Sequence, residues 1–247
     1  MPLPRIGHLV PSSNVAVEPL CYAFDAAAGH VATHHFGRLS VTRVSDDPRS
    51  DEQFAREKQL DAIRLLAEAP LDALAWNGTA ASWRGVEGDR ELVRAIGAAT
   101  GLPATTATLA LLATFARRGW RRIALAVPYT AALTDAIARA YAGEGLEVVH
   151  EARLDIDDNV AIGNVTPGDL RDLVRAAARN APDCIAVVCT NLDAASLAAE
   201  LEAELGCPIV DSIAVTYAEA CRLGGADPRI DGWGTVLASV ERETAHG

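Results

Sequence analysis

The sequence predicts an α/β protein built from two similar lobes, each a parallel sheet flanked by helices. Three observations carry that prediction. Short apolar runs alternate with helical patterns along the chain, the signature of a parallel sheet with crossover helices. The run 184–188 is apolar at every step, as in a strand buried on both faces. The order of features also restarts near Arg122. In each half the first strand closes in a Pro-containing polar turn, the third in a Thr-containing turn, and a Gly-x-Pro follows.

The elements follow in order. Residues 5–10 read as a first strand closed by Pro11-Ser12-Ser13-Asn14, with Ser12 or Ser13 placed to cap a helix over 15–28. A strand over 31–39, an amphipathic helix over 51–68 and a strand over 71–76 come next, the last opening into Asn77-Gly78-Thr79-Ala80. A helix over 89–99, a short fourth strand within 101–106 and a helix to 118 complete the first half. The second half begins with a strand over 122–127, closed by Pro128-Tyr129-Thr130, and a helix over 131–142. A strand over 146–154 leads into a polar turn, and Thr166 with Pro167 starts a helix to about 180. The strand over 184–188 is followed by a helix from near Asp193 to 205, then by Gly206-Cys207-Pro208, which mirrors Gly101-Leu102-Pro103. The last helix spans 212–223. Each lobe is thus roughly flavodoxin-like, one over 1–115 and the other over 116–247, with the C-terminal helix free to pack back on the first lobe. Two-lobed α/β proteins place their site in the cleft between the lobes.

Composition narrows the function. Half of the 247 residues are hydrophobic, enough for one large core or two small ones. The formal charge of −11, with no basic stripe, argues against nucleic acid as a partner. No run of about 18 apolar residues suggests a membrane span, and the N-terminus has no signal-peptide pattern. Five cysteines, an odd number without CxxC or Cys/His spacing, point to a reducing cytoplasm and away from a metal site. Neither Gly-x-Gly-x-x-Gly, a Walker pattern nor Gly-x-Ser-x-Gly follows any strand, which disfavours nucleotide enzymes and α/β-hydrolases. The expectation is a cytoplasmic protein that uses no cofactor and no metal, with a homo-oligomer left open.

Cys189 ends the 184–188 strand, at the carboxyl edge where open α/β sheets bind ligands. A helix starting soon after it would favour thiolate. None of the six histidines lies obviously near Cys189 in sequence, so a Cys-His hydrolase lacks its base. If the lobes face each other, Asn77-Gly78-Thr79 and Cys189-Thr190-Asn191 form opposite walls, with the Pro11 and Pro128 turns contributing from the first strands. Such a set of hydroxyls, amides and backbone N–H groups suits carboxylate oxygens.

From about Ile6 to Leu223 the chain resembles the aspartate/glutamate racemase superfamily, in particular its maleate cis-trans isomerase and arylmalonate decarboxylase branch. Val10-Pro11-Ser12-Ser13-Asn14, Ala126-Val127-Pro128-Tyr129 and Asp158-Asn159-Val160-Ala161-Ile162-Gly163 point toward the isomerases. Gly78-Thr79 with Trp83-Arg84-Gly85, and Thr100-Gly101-Leu102-Pro103, point toward the decarboxylases. The resemblance implies that Asn14, Tyr129 and Asn159 bind substrate carboxylates. It also implies two cysteines, one on each wall, in racemases and isomerases. Here the second is Cys189, whereas Gly78 (Asn77 if the alignment slips by one) stands at the first. Thr79 is too weakly acidic to replace the missing thiol as a base. One cysteine in the second position with Gly-Thr in the first is the decarboxylase pattern.

The resulting expectation is a cofactor-independent decarboxylase of a small malonate-type dicarboxylate. Thr79, Tyr129 and backbone N–H groups near Gly78, Ala80 and Thr190 would hold one carboxylate. Cys189, as a thiol of modestly lowered pKa, would protonate the enediolate left by loss of CO2. A maleate isomerase-like enzyme, an amino-acid or hydantoin-type racemase, and a non-catalytic dicarboxylate binder are the alternatives.

Overall fold

A computed structural model of the protein describes residues 2–44 and 52–238. Two four-stranded parallel sheets form it, with the same strand order in each. The first comprises β1 (Arg5–Pro11), β2 (Thr33–Leu39), β3 (Ala73–Trp76) and β4 (Ala104–Thr106), arranged β2-β1-β3-β4. The second comprises β5 (Arg122–Val127), β6 (Glu147–Arg153), β7 (Cys184–Val187) and β8 (Ile209–Asp211), arranged β6-β5-β7-β8. Central β5 and β7 are apolar because helices cover both faces; every residue of β7 is buried. The edge strands β2 and β6 are instead mostly polar and partly exposed.

The lobes interlock through their last helices. Ile213, Ala214, Tyr217, Ala220 and Cys221 of the helix Ser212–Leu223 join a core cluster with Val17, Leu20 and Phe24 of the first lobe. Reciprocally, Ala110, Leu111 and Phe115 of the helix Ala107–Arg118 belong to the cluster around β5 and β7. The segment after β2 crosses as well. Val44 N donates to Asp157 O at 3.0 Å, and Val44 packs in the second-lobe cluster.

Several element ends differ from the sequence reading, each for a local reason. The expected helix start at Asp51 lies outside the described residues; a 3-10 turn, Glu52–Phe54, precedes the helix Arg56–Leu66. Neither Ser12 nor Ser13 caps the first helix, Val17–Ala27. Both hydroxyls turn to Val41, while Asn14 Oδ1 accepts from Ala16 N (3.0 Å) and Val17 N (2.9 Å). Asp193 caps a 3-10 turn, Ala195–Leu197, through Ser196 N, and the α-helix begins only at Ala198. Asp158 caps a short helix, Asn159–Gly163, where the sequence reading has only a polar turn.

Candidate active site

The carboxyl ends of β1, β3, β5 and β7 meet between the sheets, and the turns after them hold the candidate residues. Thr79 follows β3, Tyr129 follows β5 and Cys189 follows β7. All three are buried, at 4%, 2% and 3% exposure. The Tyr129 hydroxyl lies 3.1 Å from Thr79 Oγ1 and is also hydrogen-bonded to the Cys189 thiol. One phenol thus bridges the two walls. Burial raises its pKa well above the ordinary tyrosine value, as does the neighbouring Cys189, so it is a neutral donor.

Cys189 itself departs from expectation. Burial pushes its thiol up to about 11, although hydrogen bonds from Tyr129 and the Asn191 N–H (3.4 Å) pull the other way. A modestly lowered pKa was expected from a helix N-terminus, but the nearest following α-helix starts at Ala198, beyond the reach of that field. The group is a thiol at neutral pH. Asp211, capping the helix Ser212–Leu223 through Ile213 N and Ala214 N, also accepts from Ala194 N at 3.1 Å and so ties down the segment after Cys189.

Gly78 owes its identity to a close approach. A Cβ there would lie 2.4, 2.5 and 2.8 Å from three atoms of the Trp76 indole. Its φ is not positive, so the wall opposite Cys189 is closed to a side chain by Trp76 and not by backbone conformation. Residues 76 and 78 lie two apart in an extended segment and share a face, a signal the sequence offered. Around this glycine the backbone is open: the N–H groups of Gly78, Thr79, Ala80, Cys189 and Thr190 meet no acceptor among the described residues. Five such donors on two facing turns are what a carboxylate or an oxyanion requires.

The two asparagines occupy a neighbouring polar seam. Asn14 Nδ2 donates to Thr190 O at 2.5 Å, while its Oδ1 is occupied at the helix start. Thr190 Oγ1 donates to Asn77 O at 2.9 Å. Asn159 Nδ2 donates to Ser13 Oγ at 2.8 Å, and Asn159 O accepts from Asn191 Nδ2 at 2.7 Å. Asn191, which also accepts from Val15 N, is a hub that the sequence reading placed on the wall without a role. The structure therefore joins Thr79, Tyr129 and Cys189 directly. It places Asn14, Thr190 and Asn159 in bonds that clamp the lobes, with Ala80 heading the short helix Ala81–Arg84 beside them. Trp83 on that helix rests against the Tyr129 ring at 5.0 Å and lines a cavity of about 680 Å³, shared with Phe54, Ala80, Asp89 and Leu133. Among the described residues no three His, Cys, Asp or Glu side chains gather as a metal site, and no helix is long and apolar enough to cross a membrane.

Fold and site together define a two-lobed α/β protein with a buried thiol and a set of open backbone N–H groups where the lobes meet. The arylmalonate decarboxylase family matches residues 34–237, and the chain belongs to that family, whose enzymes are of decarboxylase and isomerase type. Maleate isomerase of Pseudomonas putida is 28% identical, covering 96% of this chain and 98% of its own. Arylmalonate decarboxylase of Bordetella bronchiseptica is 33% identical over 68% of this chain and 72% of its own. Among solved structures, maleate isomerase Iso from Pseudomonas putida S16 superposes with TM-score 0.87 at 24% identity, covering 96% of this chain and 99% of that one. A liganded arylmalonate decarboxylase carrying a Gly-to-Cys and a Cys-to-Ser exchange gives 0.82 at 27% identity, covering 95% and 99%.

Proposed function

We propose that the protein is a cofactor-independent lyase that decarboxylates a small malonate-type dicarboxylate, with Cys189 as proton donor. One carboxylate sits among Thr79, Tyr129 and the N–H groups of Gly78, Ala80 and Thr190. The C–C bond to the other carboxylate breaks, CO2 leaves, and the electron pair passes into an enediolate on the retained group. The same donors stabilise its growing charge. The Cys189 thiol then gives its proton to the α-carbon from one face, and the thiolate regains a proton from water. The observation that carries this reading is the asymmetry of the walls. One presents a protonated thiol bonded to Tyr129, and the other a glycine whose side-chain space the Trp76 indole fills.

Maleate isomerisation is the second reading. It is favoured by the extent of the match, since the isomerase relative covers 96% of this chain and the decarboxylase relative 68%. A parallel assay separates the two. Purified protein is incubated in D2O with phenylmalonate or methylmalonate, and separately with maleate. Decarboxylation gives CO2 and a monocarboxylate carrying deuterium at the α-carbon, lost in Cys189→Ala. Fumarate from maleate, with no CO2 from either malonate, would overturn the proposal in favour of the isomerase. Binding without turnover of any of them would leave a dicarboxylate binder.

A further inference from the structure

Behind the first wall lies a run of buried polar side chains that the chemistry above does not use. Asn77 is 1% exposed, and its Nδ2 is surrounded by three acceptors: Leu9 O (3.3 Å), Ala75 O (3.4 Å) and His8 Nδ1 (3.3 Å). Two carbonyls facing one end of the amide fix that end as nitrogen, because the flipped amide would set oxygen against oxygen. His8 Nδ1 must then accept, so the proton of this neutral ring is on Nε2. His8 Nε2 lies 3.0 Å from His34 Nδ1, which must accept in turn and leaves the His34 proton on its own Nε2. That N–H has no partner within hydrogen-bond distance; the nearest charge is Asp25 Oδ1 at 3.9 Å. Asp25 is held by Ala32 N and His30 Nδ1, each at 3.0 Å.

We propose that His8 and His34 are positioning residues, a one-way hydrogen-bond relay that locks the Asn77 amide and with it the turn bearing Gly78 and Thr79. The inference rests on reading the interlobe cleft as the reaction site. Asn77 sits where the relay meets that site, since its backbone oxygen accepts the Thr190 hydroxyl and its chain runs directly into Gly78. The relay carries orientation and not protons, because the Asn77 amide that ends it donates without being able to pass a proton on. It also fixes which amide atom is left over: Asn77 Oδ1 is buried without a hydrogen-bond partner.

The surroundings keep both rings neutral. Burial lowers the pKa of His8 well below its ordinary value, helped by His34 and His35. His34 is lowered by burial and His35 against the pull of Asp25. Phe36 stacks on His8 at 5.0 Å, Tyr217 lies 5.4 Å from His34, and the Asp25 carboxylate faces His34 at 3.9 Å, with Glu18 lining the pocket on its outer side. Protonating His8 would put a second donor against Asn77 Nδ2 and break the relay at its first link.

Long-range proton–nitrogen NMR of the 15N-labelled protein reads the ring tautomers directly. Both rings should carry hydrogen on Nε2 alone, with no titration between about pH 6 and 8. His34→Leu removes the acceptor at nearly constant volume, whereas His34→Asn keeps an oxygen near the Nδ1 position. The leucine variant should show mixed His8 tautomers, a shifted Asn77 side-chain amide, and kcat down about tenfold with KM within about twofold. The asparagine variant should restore the tautomer and most of kcat. Hydrogen on His8 Nδ1 in the parent protein, or unchanged kcat in a folded His34→Leu protein whose His8 tautomer has moved, would overturn the proposal. The tautomer measurement needs no substrate, so an inactive parent would count against the assigned reaction while the ring spectra still decide the relay.

Discussion

The wall opposite Cys189 can be tested by forcing a side chain into it. A Cβ on residue 78 would meet three atoms of the Trp76 indole at 2.4–2.8 Å, about 1 Å inside ordinary carbon contact. The indole is 1% exposed and shares a core cluster with Leu9, Leu92 and Ile96, with one side along the cavity that Trp83 also lines. Overpacking of a filled core costs about 1–3 kcal/mol, and a clash with three atoms of a rigid ring belongs at the upper end. For a chain of this size that is a fall in Tm of roughly 6–12 °C. Gly78→Cys should show it, and Trp76→Leu should relieve it. The double variant should therefore be more stable than the sum of the singles predicts, with a coupling of about 1–3 kcal/mol in a thermal or urea cycle. The relieved protein would carry thiols on both walls. It should then exchange the α-proton of the monocarboxylate product in D2O and erode its enantiomeric purity. A Gly78→Cys protein as stable as the parent, with no coupling to Trp76, would refute the steric argument. A folded double variant with no α-proton exchange would refute the placing of residue 78 opposite Cys189.

Other outcomes follow from the same geometry. Cys189→Ala should abolish turnover, whereas Cys184→Ala, within fully buried β7, should lose little; comparable losses in steady-state assays would show that the thiol is misassigned. Tyr129→Phe and Thr79→Ala each remove a hydrogen bond to an anionic oxygen, worth about 1.5–3 kcal/mol. Both should lower kcat as well as kcat/KM, and a rise in KM alone would mean that the donors do not follow the developing charge. Asp89 is buried with Oδ2 unpartnered, and burial raises its pKa from an ordinary 3.8 to about 7. A carboxyl raised on folding adds stability that is complete below about pH 4 and is lost as pH climbs to about 7, of order 1–4 kcal/mol. Asp89→Asn should consequently raise Tm more at pH 8 than at pH 5, and a gain independent of pH would refute the assignment.

The sheets were legible in the sequence because buried parallel strands are apolar without interruption, as 184–187 and 123–127 are, and because Gly-x-Pro recurs before the last strand of each half. The joining of Thr79, Tyr129 and Cys189 was legible only as three turns at the carboxyl ends of strands. The fact that one phenol reaches both partners depends on how the lobes close. Position alone misled about Cys189. A strand end before a helix suggests a field that lowers the pKa, but Asp193 and Asp211 hold the intervening residues in turns, the last of them a 3-10 turn. Desolvation then dominates. The serines of the Pro11 turn misled for a related reason, since Val41, far along the chain, competes successfully for their hydroxyls. The histidine relay was beyond sequence reasoning: His8 and His34 are 26 residues apart and meet only because β1 and β2 pair in parallel.

The protonation of Cys189 bears on the choice between reactions. With burial raising the thiol to about 11, the anion is the minor form at pH 7, which weighs on any step that starts from it. Addition of sulfur to an alkene, which isomerisation would require, starts there, as does removal of an α-proton in racemisation. Protonation of an enediolate starts from the prevailing thiol and leaves the thiolate only as the far more basic carbon takes the proton. A bound dicarboxylate brings further negative charge to within contact of the sulfur and pushes the thiol higher still. Substrate binding therefore widens the gap between the reactions, unless a cation or a second acid enters with it. The cleft offers neutral donors instead: Tyr129, Thr79 and five backbone N–H groups. Such donors steady charge that forms on carboxylate oxygens, and of them only Tyr129 also reaches the sulfur among the described residues.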